Sequence, residues 1–446
     1  MNSAKLKEEH RPAPKTTGGD KAHVQRQLPR PSDLRALLQF KSPTLDPVQR
    51  RLEAAITIED LRQISRRTTP RSVFDYVDGG ADYEVSQRRN KAVFDTARFM
   101  PNLLHEVSDP DLSTELLGRR IGFPVVFAPT GFTRMMHHEG EIAVARVAER
   151  NNLPYALSLL GTTDYETVAA AAPHGDNWFQ MYMTNNQSLN TEILDKALEV
   201  GATTLVLTID CAVGGFRPKD VRNGLAIPPA LTMKTFFNMA RFPYWWLNKL
   251  TTPPVEFASV RDFPGTNMEV AKLLFDPNLN YEALTWLRSH WPHKLLVKGI
   301  VNPADAGRMM EYGADGVIIS NHGGRQLDRT PGTMEVLPAV REVVGAGATV
   351  MVDGGIMHGQ DIIAARAAGA DAVMIGRAYL YGIMAAGERG VERAVEILRD
   401  EFQRGLQLLG LRSTDAIASR HVVWPVVDSP TANPEAASLY RRSQAC

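Results

Sequence analysis

A histidine and an arginine stand three residues apart in "SNHGGRQLD" (320–328), directly behind the apolar run Gly316-Val317-Ile318-Ile319. A core strand can turn with Gly, Pro, Asn or Asp alone, so His322 and Arg325 need a reason beyond turning. An imidazole takes or gives a proton near neutral pH. A guanidinium presents a planar fork to an anion. What the two do together depends on what the rest of the chain builds around this turn.

Other apolar runs end in the same manner. Read in chain order, their C-terminal ends carry Thr130, Ser158, Gln180 with Tyr182, Thr208 with Asp210, Lys298, Ser320 with His322 and Arg325, Asp353 and then Arg377. Any one of these has a plain structural use, since Ser and Thr cap helices and Asp begins turns. Their joint arrival at one rim points to a site. "VDGGIMHG" (352–359) and "IGRAY" (375–379) add Gly354, Gly355 and Gly376 at the last two ends. Barrel enzymes bind phosphate there with backbone N–H groups and a helix N-terminus, and Arg377 supplies a matching cation.

The elements that must position these residues follow a rhythm. Short β-rich runs start near Pro124, Tyr155, Trp178 and Thr204, then resume near Leu295, Gly316, Thr349 and Ala372. Between neighbours lie stretches with apolar residues at helical spacing, such as 139–152, 302–315 and 359–370. Strands alternating with helices imply parallel pairing, and runs too apolar to face water on one side imply closure. The expected fold is therefore α/β: a (β/α)8 TIM barrel with an N-terminal helical segment and a long insertion after strand 4. An open doubly wound sheet is the alternative, but no G-x-G-x-x-G opens a helix after the first strand.

The helical segment is 57–82, with Thr57 as cap and Pro70 as break. We expect a flexible leader over 1–47, the barrel over 48–425, the insertion at 211–294 and a tail over 426–446. Within the insertion, "FFNMARFPYWWLNKL" (236–250) is dense in aromatics with Arg241 and Lys249 interspersed. Such a segment suits either a membrane surface or a lid that buries Trp245 and Trp246.

Bulk composition narrows the function. The 446 residues carry no formal net charge, which argues against nucleic-acid binding. Cys211 and Cys446 are the only cysteines, so no disulfide framework or metal-ligand spacing exists and no metal is expected. No apolar run approaches the roughly 20 residues of a spanning helix, and the first residues lack the apolar core of a secretory signal. A cytoplasmic location is expected.

The motifs "SNHGGRQLD", "LVKG", "FQMY", "LTID", "DGG" and "IGR" together resemble the FMN-dependent α-hydroxy-acid dehydrogenase and oxidase family, over roughly residues 50 to 425. "APTGFTRMMHHEGE", "VRNGLAIPPALT" and "IGRAYLYGIMAAGE" look most like bacterial L-lactate dehydrogenases that pass electrons to quinone or cytochrome. The resemblance implies that His322 is the base, with Asp210 stabilising its charged form. It implies that Tyr76, Tyr182, Arg217 and Arg325 hold the substrate, Gly323 and Gly324 letting the turn fold back so that His322 and Arg325 face one ligand. It places FMN among three groups of residues. Lys298, Ser158, Gln180 and Thr208 would meet the ring's polar edge, and Pro129, Thr130 and Gly131 its face. Ser320 and Asp353 would reach the ribityl chain, while Gly354, Gly355, Gly376 and Arg377 hold the phosphate.

The implied reaction is L-lactate to pyruvate, in a homotetramer with peripheral contact at the inner face of the cell membrane. An oxygen-using oxidase or monooxygenase shares the same half-reaction, and a non-redox phosphate-binding lyase or isomerase is the alternative of another class. Departures from the family pattern are Ile356-Met357-His358 where an Arg is common near the phosphate, Leu160 in place of an aromatic, and Gly131 where several oxidases carry Ala. Cys211 reads as packing.

Overall fold

A computed structural model describes residues 44–224, 239–260 and 275–424, together with Leu28 and Arg30. The expected leader and tail, and residues 236–238 of the aromatic stretch, lie outside or almost wholly outside these. The chain divides into two compact units after Asp46, and the second holds the barrel.

Four helices lead in: α1 (Pro47–Ala54), α2 (Ile58–Thr68), α3 (Arg71–Asp78) and α4 (Val85–Asp95). Thr57 caps α2 in a capping box with Asp60, and Pro70 separates α2 from α3, as the sequence indicates. The barrel strands are β1 (Val125–Phe127), β2 (Tyr155–Ser158), β3 (Asn177–Met181), β4 (Thr204–Thr208), β5 (Lys294–Ile300), β6 (Gly316–Ile319), β7 (Thr349–Asp353) and β8 (Ala372–Ile375). Each pairs in parallel with the next, and β8 returns to β1, closing the barrel.

Period-two alternation explains why every strand is buried on both faces. One set of side chains, including Val126, Trp178, Val206, Leu296, Ile318 and Met351, fills the interior. Leu116 and Ile121, from a hairpin pairing Thr114–Leu116 with Arg119–Ile121, pack against that interior set. The other set, including Phe127, Leu157, Phe179 and Leu207, packs with the surrounding helices. Each such large side chain contributes about 1.5–3 kcal/mol by leaving water.

The long interval after β4 is partly ordinary. Its last helix, Tyr281–His290, buries Leu284 and Leu287 and serves as the crossover into β5, so the inserted part ends before Tyr281. Earlier described residues form Pro218–Arg222, Pro243–Leu250 and a 3-10 turn at Ala258–Val260. After β8 one long helix, Arg377–Leu409, bends at Ala386 and Gly387, where φ reaches +60°. Glu139 accepts the Glu388 N–H at 2.6 Å and so caps the second half. Helix α2 packs along the first half, with Ser65 Oγ donating to the Tyr381 carbonyl and Thr68 Oγ1 to that of Met384.

Candidate active site

The turn behind β6 folds back through three consecutive left-handed residues, His322 (φ +57°), Gly323 (+63°) and Gly324 (+74°). A Cβ on Gly324 would lie 2.6 Å from the Gln87 nitrogen, so only glycine fits against α4. Histidine is among the few side chains that tolerate this region. The turn is held from beneath by Asn321, which exchanges amide hydrogen bonds with Asn90 (2.7 and 3.0 Å) and accepts from the Gly324 N–H.

His322 Nδ1 lies 3.0 Å from Asp210 Oδ1. An ionised carboxylate only accepts, so Nδ1 carries the proton and Nε2 is left as the proton acceptor. Burial raises the Asp210 carboxyl, but His322 and Lys298 outweigh it and pull it down to about 2. Lys298 is buried at the end of β5 and donates to Ser320 Oγ (2.8 Å) while pairing with Asp353 Oδ2 (2.9 Å). Burial works against this ammonium, yet Asp353 and Asp210 hold it above its usual range. Ser320 Oγ also donates to Asp353 and accepts the His322 N–H, so one hydroxyl ties β5, β6 and β7 together.

Arginines line the other side. Arg325 sits over the Tyr76 ring at 4.8 Å and donates to the Tyr76 and Gly79 carbonyls. Burial, with Arg217 beside it, pulls Arg325 down to about 10. Arg217 lies 5.7 Å from the same ring and pairs with Asp220 at 3.2 Å. Arg377 spends three of its N–H groups on the carbonyls of Val77, Gly79 and Gly323. Two remain, enough for a monodentate or shared anion contact.

These groups surround a cavity of about 530 Å³. Of the residues expected from the sequence, Tyr76, Pro129, Thr130, Gly131, Ser158, Tyr182, Arg217, Lys298, His322, Arg325, Asp353, Gly354, Gly355, Gly376 and Arg377 line it. Asp210, Gln180 and Ser320 stand one layer behind, bonded to His322, Ser158 and Lys298 respectively. Thr208 is buried beside Lys298 in register. Gln180 Nε2, Thr208 Oγ1 and Asp353 Oδ1 are buried with no hydrogen-bond partner among the described residues. Such orphaned groups cost about 1–3 kcal/mol each unless something satisfies them. A flavin fits: its pyrimidine edge offers donors and acceptors, and its reduced form gathers negative charge beside a cation such as Lys298. Two departures from the family pattern are neighbours, since a Cβ on Gly131 would sit 3.1 Å from the Cβ of Leu160.

Several supporting residues escape sequence reasoning. Gln326 Nε2 donates to the Asp210 and Val213 carbonyls, fastening the loop after β4 to the signature turn. Glu141 is fully buried and accepts from Thr162 and Thr163, locking the loops after β1 and β2 together. Its sequence context carried no distinguishing signal, since 139–152 also holds Glu139 and Glu149. Asn90 and Asn321 carry no signal, since their partnership spans most of the barrel.

Beside the cavity, the helix Pro243–Leu250 docks by Trp245 Nε1 donating to the Met135 carbonyl at 3.0 Å. Arg134 reaches the carbonyls of Pro253 and Pro254. The expected lid and membrane readings each find part of their pattern: Trp245 and Trp246 are partly buried, while Tyr244, Leu247 and Leu250 face solvent. Lys249 Nζ is buried with no hydrogen-bond partner among the described residues, and burial pulls it down to about 7. Burial likewise takes His137 down to about 3, its ring 4.4 Å from that of His138.

The family model described as FMN-dependent dehydrogenase matches residues 65–424. A Mycobacterium tuberculosis protein provisionally named an L-lactate dehydrogenase is 46% identical over 90% of this chain and 96% of its own. The (S)-mandelate dehydrogenase of Pseudomonas putida is 39% identical over 79% of this chain and 90% of its own. The crystal structure of a monotopic membrane protein, (S)-mandelate dehydrogenase, superposes with TM-score 0.80 at 37% identity, covering 83% of this chain and 99% of that one. Barrel, cavity and sequence agree: the chain belongs to the FMN-dependent dehydrogenase family, with FMN as its cofactor.

Proposed function

We propose that this enzyme oxidises an L-2-hydroxy acid, L-lactate to pyruvate, and passes the electrons to a quinone or cytochrome. The observation that carries it is the His322–Asp210 contact of 3.0 Å at a cavity also lined by Arg325 and Tyr182. Bound FMN supplies a two-electron acceptor. Lys298, Ser158, Gln180 and Thr208 would hold its polar edge, and Pro129, Thr130 and Gly131 its face. Ser320 and Asp353 would serve the ribityl chain, and Gly354, Gly355, Gly376 and Arg377 the phosphate.

The chain's own part is acid–base and positional. Arg325, Arg217, Tyr76 and Tyr182 hold the substrate's carboxylate and hydroxyl. His322 Nε2 takes the substrate proton, and ionised Asp210 stabilises the imidazolium. Anaerobic titration of FMN-loaded protein with L-lactate tests this, with mandelate alongside. Lactate should bleach the flavin band, and a quinone analogue should restore it faster than air. His322→Asn should slow bleaching by about a hundred- to ten-thousand-fold. Undiminished bleaching in that variant would overturn the assignment, and fast recovery in air alone would make the protein an oxidase.

The relatives' names support the substrate, and the membrane-associated neighbour supports delivery at a membrane surface. Among the described residues no helix is long and apolar enough to cross a membrane. Tyr244, Leu247 and Leu250 recur on one helical face at solvent, which suits peripheral contact at the inner face of the membrane. Co-sedimentation with anionic vesicles tests that contact, and light scattering tests the homotetramer that the resemblance implies.

A further inference from the structure

Cys211 follows Asp210 directly and is the described free cysteine. Its Sγ lies 3.2 Å from Asp210 Oδ1 and 3.6 Å from His322 Nδ1, while those two atoms are 3.0 Å apart. One carboxylate oxygen thus serves two donors. The thiol is buried in the wall between the main cavity and a smaller one of about 260 Å³, and Tyr182 lines both as well. Packing alone would be met by an alkyl side chain, which would not reach for that oxygen.

We propose that Cys211 is a positioning residue for the base: its S–H donates to Asp210 Oδ1, competes with His322 for that oxygen, and so sets how tightly the carboxylate holds the imidazolium. The inference rests on His322 being the proton acceptor. Burial and the Asp210 charge hold the thiol far above its usual range, so it remains an S–H donor rather than a thiolate nucleophile. The other charged or titratable groups facing this cluster are Lys298 from β5 and Tyr182 from the end of β3. Both groups remain in every variant, and Tyr182, which is hydrogen-bonded to the thiol, loses that partner in Cys211→Val and keeps one in Cys211→Thr.

The consequence has a sign. Removing the thiol donor leaves Asp210 Oδ1 wholly to His322, strengthens its grip on the imidazolium and makes the base less acidic. The acid limb of the reductive half-reaction should then move to higher pH. The test uses two substitutions of nearly one shape, Cys211→Val without a donor and Cys211→Thr with one. FMN-loaded enzyme is mixed anaerobically with L-lactate across pH 5–9, and the second-order rate of flavin bleaching is followed. Cys211→Val should shift the acid limb upward by about half a pH unit, and Cys211→Thr should leave it within a few tenths of the unaltered enzyme. Cys211→Ser, a smaller and stronger donor, should shift it downward, and it serves if the valine variant does not fold.

Equal shifts in the valine and threonine variants, or no shift in any variant, would overturn the proposal and leave Cys211 as packing. An unaltered enzyme with no acid limb at all would instead sink the His322 assignment, and this inference with it.

Discussion

Lys298 and Lys249 both bury their ammonium groups, and the protein treats them oppositely. Lys298, at the end of β5, has Ser320 and Asp353 within 3 Å, and the Asp353 and Asp210 carboxylates hold its ammonium above the usual range. Lys249, on the inserted helix, is pulled down to about 7, with Arg134 nearby adding to the loss and only Glu141 opposing it. The difference lies in who supplies the neighbours. Consecutive barrel strands present their ends to one another in fixed register, so β6 and β7 deliver partners to β5. The insertion has no such register and places its lysine Nζ 5.8 Å from the Trp245 ring centre, within electrostatic reach of His137 and His138, whose imidazoles it helps to keep neutral. Buried ammonium is tolerated where geometry provides a carboxylate, and elsewhere its hold on the proton weakens.

The contrast breaks most directly at Lys298. Lys298→Met leaves Asp353 buried and unmatched, and unfolding should become easier by about 3–5 kcal/mol in the FMN-loaded protein, read from denaturant midpoints. The double change Lys298→Met, Asp353→Leu should recover most of that loss. A single variant as stable as the unaltered protein would show that the pair is not what stabilises this rim.

Lys249→Met should have the opposite sign. With the folded group near 7 and the unfolded one near 10.4, the unfolded chain binds the extra proton across that window, so stability rises with pH there. Below pH 7 the unfavourable burial is at full size. The methionine variant should therefore be more stable by roughly 1–3 kcal/mol at pH 6, the gain closing as pH approaches 10. Melting curves at several pH values decide it, and a gain independent of pH would mean that shape, not charge, is at issue.

The smallest effect is expected at the docking bond. Trp245→Phe removes the donor to Met135 and should weaken attachment of the inserted helix by about 1 kcal/mol. The change should appear as faster amide exchange across 243–250 with barrel amides unaltered. Equal loosening of β1 and β2 would show that the insertion is part of the barrel's cooperative unit.

The same contrast governs what could be read from sequence. Strand runs such as Gly316–Ile319 announce themselves because a strand buried on both faces must be apolar, and the polar residue ending each run marks the rim. Thus the barrel, the His322 turn and the polar strand ends that reach the cavity were legible from local pattern, whereas Tyr76, Arg217, Pro129 and Gly131 came only from the family resemblance. Asn90–Asn321 and Ser320–Asp353 were not foreseeable as pairs, since contact between distant segments leaves no local trace. Lys249 misleads in a further way: a lysine among tryptophans reads as interfacial, and only the fold reveals that it turns inward while Tyr244, Leu247 and Leu250 turn out. Residue types locate a site, and closure of the barrel decides which neighbours those types acquire.

One contact reaches beyond chemistry into how the chain is made. The carbonyls of Val77 and Gly79, at the end of α3, are claimed by Arg377, and Ser65 on α2 is claimed by Tyr381. On a ribosome the first of these segments emerges long before the second exists. Helix α2 must then wait in contact with water or chaperone until the helix Arg377–Leu409 is synthesised, since that helix is its main packing partner. A stalled or truncated nascent chain that ends before Arg377 should hence leave α2 without its main packing partner, making α2 prone to protease attack.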